Sequence, residues 1–257
     1  MSWDTVWHIY LDSVGISVNL LVLSLAVLVI GLYRRWKGTK TRLFSTAFLI
    51  SFVGIAYFTL HGRILQSIFP ISLPENPFHH MTIANYATTV TLTFVVFPLL
   101  FLLFTNQLDA GKLGLRIQDV RHTLRLTLFG ACVNSFITVL PIAVSILLSL
   151  SYKWPPFSHT TTDLLLWFVL VTGIATWMQV FFFLGILFHN HIDSENPILL
   201  FLISTLTFLM FVPLTVFTPF FISGLCVEAY ITLKTRNIYG AMLIHSLGVA
   251  ISTALVL

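Results

Sequence analysis

The sequence predicts an all-α fold, a polytopic transmembrane helical bundle of about eight spans, from three observations. Of 257 residues, 57% are hydrophobic and only 9% are Asp, Glu, Lys or Arg, whereas a water-facing domain carries about 25% charged residues. The apolar residues fall in continuous runs of spanning length rather than short alternating ones, which in lipid selects helices over a closed barrel. The Lys and Arg residues divide sharply between alternate loops, the pattern that orients helical membrane proteins. High hydrophobicity with low charge also excludes a disordered chain. Two cysteines, Cys132 and Cys226, exclude a disulfide-stapled or Cys-rich zinc module.

The first apolar run, Val14–Tyr33, follows a segment with two Asp and no Lys or Arg. A secretory signal needs a basic start and a small-residue cleavage site. The run is also long enough to span, so it is expected to be a retained helix. Seven further spans follow at about Leu43–Leu60, Thr82–Phe104, Leu126–Leu150, Asp163–Phe188, Ile198–Phe217, Pro219–Leu233 and Ile238–Leu257. The seventh of the eight is short, and Pro213 and Pro219 interrupt the chain before it. A single kinked element with a re-entrant turn is the alternative there, and it would change the parity. The chain divides into residues 1–110, the three N-terminal transmembrane helices, and residues 111–257, a core of five.

The charges provide an independent count. Arg34, Arg35, Lys37, Lys40 and Arg42 share the first loop; Lys112, Arg116, Arg121 and Arg125 the third; Lys234 and Arg236 the last. Only Arg63 and Lys153 lie in the alternate set, so eleven of thirteen positive residues sit on one side. That bias places the basic loops in the cytoplasm and both termini outside. It also explains the isoelectric point near 9.2 without nucleic acid, since no compact basic stripe with interleaved aromatics exists. Contact with anionic lipid suits the same charges. Leu108–Arg125 reads as an amphipathic helix lying in the interface, with Leu113, Leu115, Ile117, Val120 and Leu124 beside Arg116, Arg121 and Arg125. The chain contains no tandem repeat or low-complexity segment.

Polar groups inside hydrocarbon are costly, which makes their identity informative. Asn134, Gln179, Glu228 and His245 are the intramembrane polar residues, and Glu228 is the only acid deep within a span. His61 and Arg63, then His79 and His80, lie near the outer face, and His189 and His191 near the inner one. Zinc wants three or four ligands, yet the spacing of two in His189-Asn190-His191 points the rings to different faces of a helix. The adjacent His79-His80 pair, in a Pro-rich loop, is equally weak. No His-Glu-x-x-His, Gly-x-Ser-x-Gly or Gly-rich phosphate loop is present. Interfacial hydrogen bonding is the better account of these histidines.

Residues 179–185 read Gln-Val-Phe-Phe-Phe-Leu-Gly, and residues 221–249 read FISGLCVEAYITLKTRNIYGAMLIHSLGV. Together with Lys112-Leu113-Gly114-Leu115, this layout resembles the CAAX-protease and bacteriocin-processing (Abi) family of intramembrane metalloproteases over roughly residues 110–257. The family pattern is Glu-Glu-x-x-x-Arg before a Gly, then Phe-x-x-x-His, then His-x-x-x-Asn or Asp. A Gly-Leu step and a Tyr-x-x-Thr stretch precede the last helix, places taken here by Gly224-Leu225 and Tyr230 onward. Carried over residue by residue, Gln179 and Val180 stand for the two glutamates and Leu184 for the Arg. Phe208 matches the second motif, but Val212 stands where its His belongs. His245 matches the third, and Val249 replaces the Asn or Asp.

In the family the Glu and His residues hold a metal that activates water. One matched ligand is too few for a catalytic zinc, and the amide of Gln179 cannot serve as a general base. The resemblance therefore implies a degenerate member without cofactor, acting as a membrane scaffold or binding partner for another membrane protein, a lipid-like ligand or a lipid-modified peptide. A divergent metallopeptidase using zinc, His245 and Glu228 is the first alternative, although Glu228 falls where the family has a small residue. A small transporter lined by Glu228, Gln179 and His245 is the second, against which stands the lack of paired broken helices. As a lone imidazole bridging two helices, His245 is expected to contribute about 0.6 kcal/mol.

Overall fold

The computed structural model describes residues 49–50, 52–54, 87–104, 106, 108–109, 111–147, 165–211 and 218–256. Among them every regular element is helical and no strand occurs. We number six helices: α1 (Ala87–Phe104), α2 (Val120–Leu147), α3 (Trp167–His191), α4 (Pro197–Phe211), α5 (Thr218–Thr235) and α6 (Tyr239–Val256). Three of these, α1, α2 and α3, are long and apolar enough to cross a membrane, while α4 and α6 are shorter apolar helices. The sequence-predicted span Val14–Tyr33 lies outside the described residues, as does most of Leu43–Leu60. Leu49, Ile50 and Val53 are described, and they are buried in the core.

Helix starts and stops follow local chemistry. At the head of α2 the Asp119 carboxylate accepts the His122 amide at 2.9 Å, capping an N–H that the helix leaves unsatisfied. That cap starts α2 six residues ahead of the expected Leu126. α4 opens on Pro197, which has no amide hydrogen to lose, and Asn196 Oδ1 accepts the Ile198 amide at 2.8 Å. α5 stops at Arg236, whose φ of 56° is the left-handed cap conformation. Asn237 Oδ1 then accepts the Tyr239 amide at 3.2 Å, so one three-residue turn ends α5 and starts α6.

The expected amphipathic helix over Leu108–Arg125 does not form. Residues 111–114 make a turn, residues 115–119 are non-helical, and α2 begins at Val120. Gly114 breaks the run: its φ is +73°, and a Cβ there would sit 3.1 Å from the His189 ring and 3.0 Å from Ile238. The apolar spacing that suggested a helix instead buries Leu113 at 2% exposure, and leaves Leu115 and Ile117 outside.

α3 is the hub. Its segment Phe181–Phe188 is buried on every side, as a helix apolar all round must be. Phe182 and Phe183 meet Phe94 of α1 at ring separations of 5.3 and 5.5 Å, and Phe183 meets Phe208 of α4 at 5.5 Å. Edge-on and tilted pairs at this range add attraction beyond burial. Ser204 of α4 donates to the Phe183 carbonyl at 3.0 Å. Toward α6, Trp177 Nε1 donates to Ser246 Oγ at 2.8 Å and Trp167 Nε1 to Thr253 Oγ1 at 3.2 Å. Much of α3 is wound as π-helix, over Trp167–Ala175 and Phe181–Phe188, leaving an α-helical turn at Thr176–Val180. On the far side of α6, α2 packs along both α5 and α6.

Three loops meet at one end of this bundle. The Lys112 carbonyl accepts from His189 Nδ1 at 2.8 Å, the Gly114 carbonyl from the Ile238 amide at 3.1 Å, and the Leu115 carbonyl from the Tyr239 hydroxyl at 3.1 Å. Arg236 pairs with Asp193 at 2.6 Å. Both histidines of His189-Asn190-His191 are buried in a closing 3₁₀ turn, where the His189 ring anchors the incoming loop. All six Lys and Arg among the described residues (Lys112, Arg116, Arg121, Arg125, Lys234 and Arg236) belong to this end.

Candidate functional site: a buried Glu228–His245 pair

The α5–α6 hairpin builds the site. Glu228 lies about nine residues before the centre of the turn and His245 eight after it. At 1.5 Å of rise per residue both sit roughly 12–14 Å below the turn, so two antiparallel helices bring them level. His245 Nδ1 donates to Glu228 Oε1 at 2.8 Å. Glu228 is 2% exposed. Its other oxygen, Oε2, is buried and has no hydrogen-bond partner among the described residues.

The pair borders a cavity of about 10 Å³, lined also by Gln179, Val180, Phe183, Leu184, Phe208 and Leu225. Such a volume is about what one water molecule needs. α3 contributes Gln179 from its short α-helical turn, so three polar side chains from three helices border one small apolar space. This is an arrangement in which a carboxyl can hold or pass a proton, or bind a small donor. It is too small for a peptide.

The other sequence-marked residues divide plainly. Val180 and Leu184 line the cavity beside Gln179. Val249 lies one turn beyond His245, and its carbonyl accepts the Thr253 hydroxyl at 2.8 Å. Val212 lies outside the described residues, as do His61, Arg63, His79 and His80. Asn134 belongs to a different locus. From α2, its Nδ2 donates to the Ile244 carbonyl of α6 at 3.2 Å, and its amide sits against Gly224 of α5 and Gly248 of α6.

Glu228, which the family layout leaves outside its motifs, is the direct partner of His245. The signal that finds it is the matched spacing of the two residues about the Lys234–Tyr239 turn. As a zinc site the residues fit poorly. The cavity offers one carboxylate and one imidazole, where a catalytic zinc takes three protein ligands. Among the described residues no group of three His, Cys, Asp or Glu side chains comes together. No family model, curated protein or solved structure matches this chain.

Proposed function

We propose that the chain is a multi-pass membrane protein of the CAAX-protease and Abi layout that has exchanged metal chemistry for binding. In this reading it serves as a scaffold for another membrane protein or a lipid-modified peptide. The observation that supports it is the closure of His245 on Glu228: the one matched family ligand is engaged by a carboxyl, and Gln179 completes the polar set. Two titratable groups bonded to each other fall short of the three protein ligands of a catalytic zinc. The test is metal analysis of the purified chain beside cleavage assays on prenylated and leader-bearing peptides. No stoichiometric zinc and no cleavage are expected. One equivalent of zinc, with cleavage abolished by His245→Ala, would restore the peptidase.

The proposed topology has eight spans with the basic loops cytoplasmic and both termini outside. The end of the bundle where three loops meet supports it, because each intervening helix pair returns the chain to the same side and every described Lys and Arg lies there. In a chain freed of Cys132 and Cys226, single cysteines at Asp109, Glu195 and Lys234 should label from the cytoplasmic face. Cysteines at Leu165 and Pro219 should label only from the other. Labelling of Glu195 and Pro219 from one side would break the count.

A further inference from the structure

The head of α2 carries charge and apolar surface that neither the buried pair nor the core uses. Arg121 and Arg125 are four residues apart, so they stack on one face of the helix. Val120, Leu124 and Leu128 form the neighbouring column, exposed at 70%, 55% and 60%. Arg116, Leu115 and Ile117 lie exposed on the approach. No ion pair neutralises Arg116, Arg121 or Arg125 among the described residues. Of the nearby acids, Asp109 pairs with Lys112 at 3.6 Å and Asp119 caps the His122 amide at 2.9 Å, leaving three arginines against one acid that no cation pairs among the described residues.

The surface is also preformed. Buried Leu113 and the bonds from His189, Ile238 and Tyr239 to the carbonyls of residues 112, 114 and 115 fix the approach. Arg116 follows directly on the last of these anchors, so binding there orders little additional backbone.

We propose that Arg121 and Arg125, with Arg116 beside them, bind the phosphate headgroup of an anionic phospholipid whose acyl chain lies along Val120, Leu124 and Leu128. Guanidinium groups match phosphate oxygens in paired hydrogen bonds. Helical side chains lean toward the N-terminus, which carries both arginines outward to headgroup level while their stems cover apolar surface. The interleaving of bare arginines with an apolar column favours a lipid over an acidic protein, which would leave Val120, Leu124 and Leu128 in water.

The inference rests on the membrane reading, and reconstitution separates the two. The full chain is inserted into nanodiscs holding equal phosphatidylcholine and phosphatidylglycerol, re-extracted in detergent, and its retained lipid measured by mass spectrometry. Phosphatidylglycerol should be enriched severalfold. R121Q/R125Q should remove most of that enrichment, since each charge near the surface contributes to it, R121K/R125K should keep most of it, and K234Q should leave it unchanged. Equal retention of both lipids, or a preference untouched by R121Q/R125Q, overturns the site while leaving the membrane reading intact. Failure to insert even into phosphatidylcholine overturns both. Displacement of the lipid by soluble glycerol phosphate would assign the arginines to a free anion, and loss of a bound protein rather than lipid in R121Q/R125Q would assign them to a protein surface. Either result overturns the proposal.

Discussion

Replacing His245 by alanine is expected to destabilise the protein by about 3 kcal/mol, well above the ~0.6 kcal/mol of an ordinary interhelical hydrogen bond in a membrane bundle. The difference lies in what is left behind. Glu228 is 2% exposed, and the His245 ring is the partner of its Oε1 at 2.8 Å, while Oε2 has none among the described residues. Removing the imidazole leaves a buried carboxyl without any partner beside an enlarged cavity, and stranding one member of a buried pair typically costs about 3–5 kcal/mol. The enlarged cavity can admit water to the carboxyl, which puts the expected value at the lower end. The double replacement E228L/H245L removes both polar groups together and should recover most of the stability, because a buried pair is often replaceable by packed apolar residues. Denaturant or thermal unfolding in one detergent checks both arms. H245A as stable as the parent chain would show that the pair carries no such burden. A double variant less stable than H245A would show that the site needs its polarity.

The hydrophobic runs account for the all-helical architecture of the described residues and for little of its polar chemistry. Runs of spanning length located α1 through α6 within a few residues because burial in lipid or core demands apolar side chains wherever a helix runs. Boundaries moved where a single capping bond decides them, as with Asp119 at α2. Leu108–Arg125 misled because an apolar period near 3.6 also suits a chain that dips one residue, Leu113, into the core and then turns at Gly114. The spacing is the same, but the left-handed Gly114 and the non-helical residues 115–119 after it replace the helix. The π-wound stretches of α3 leave no compositional trace at all. For the site, the cost of polar groups in hydrocarbon singled out Gln179, Glu228 and His245. That they share a cavity depends on the hairpin turn being three residues long, a length the sequence around Arg236 and Asn237 suggests only once both caps are recognised. Asn134 was marked for the same reason, and its partner is a backbone carbonyl, which no side-chain motif can reveal.

That carbonyl contact makes Gly248 a position where alanine should destabilise by about 2 kcal/mol. In an exposed helix interior the same change gains about 0.5–1 kcal/mol, because glycine loses more backbone freedom on folding, so the sign itself is diagnostic. A Cβ at 248 would stand 2.8 Å from Asn134 Nδ2, inside contact distance. Withdrawal of the amide strains its Nδ2 bond to the Ile244 carbonyl at 3.2 Å and is bounded on the other side by the α5 backbone at Gly224, where Oδ1 fits only because no Cβ is present. α2 must therefore move away from α6, or Asn134 must give up its bond and leave a buried amide unpaired, which costs about 1–3 kcal/mol. Small residues let helices approach closely around a polar side chain, and α2, α5 and α6 use Gly224 and Gly248 in this way around one asparagine. A double-mutant cycle isolates the contact. Asn134→Ala vacates the space and removes the bonded amide, so Gly248→Ala should cost little in that background or turn slightly favourable. Unfolding midpoints of the parent, both single variants and the double variant measure the coupling. An equal cost of Gly248→Ala with and without Asn134 would mean that the glycine accommodates something other than this amide, and that the three helices are not held by it.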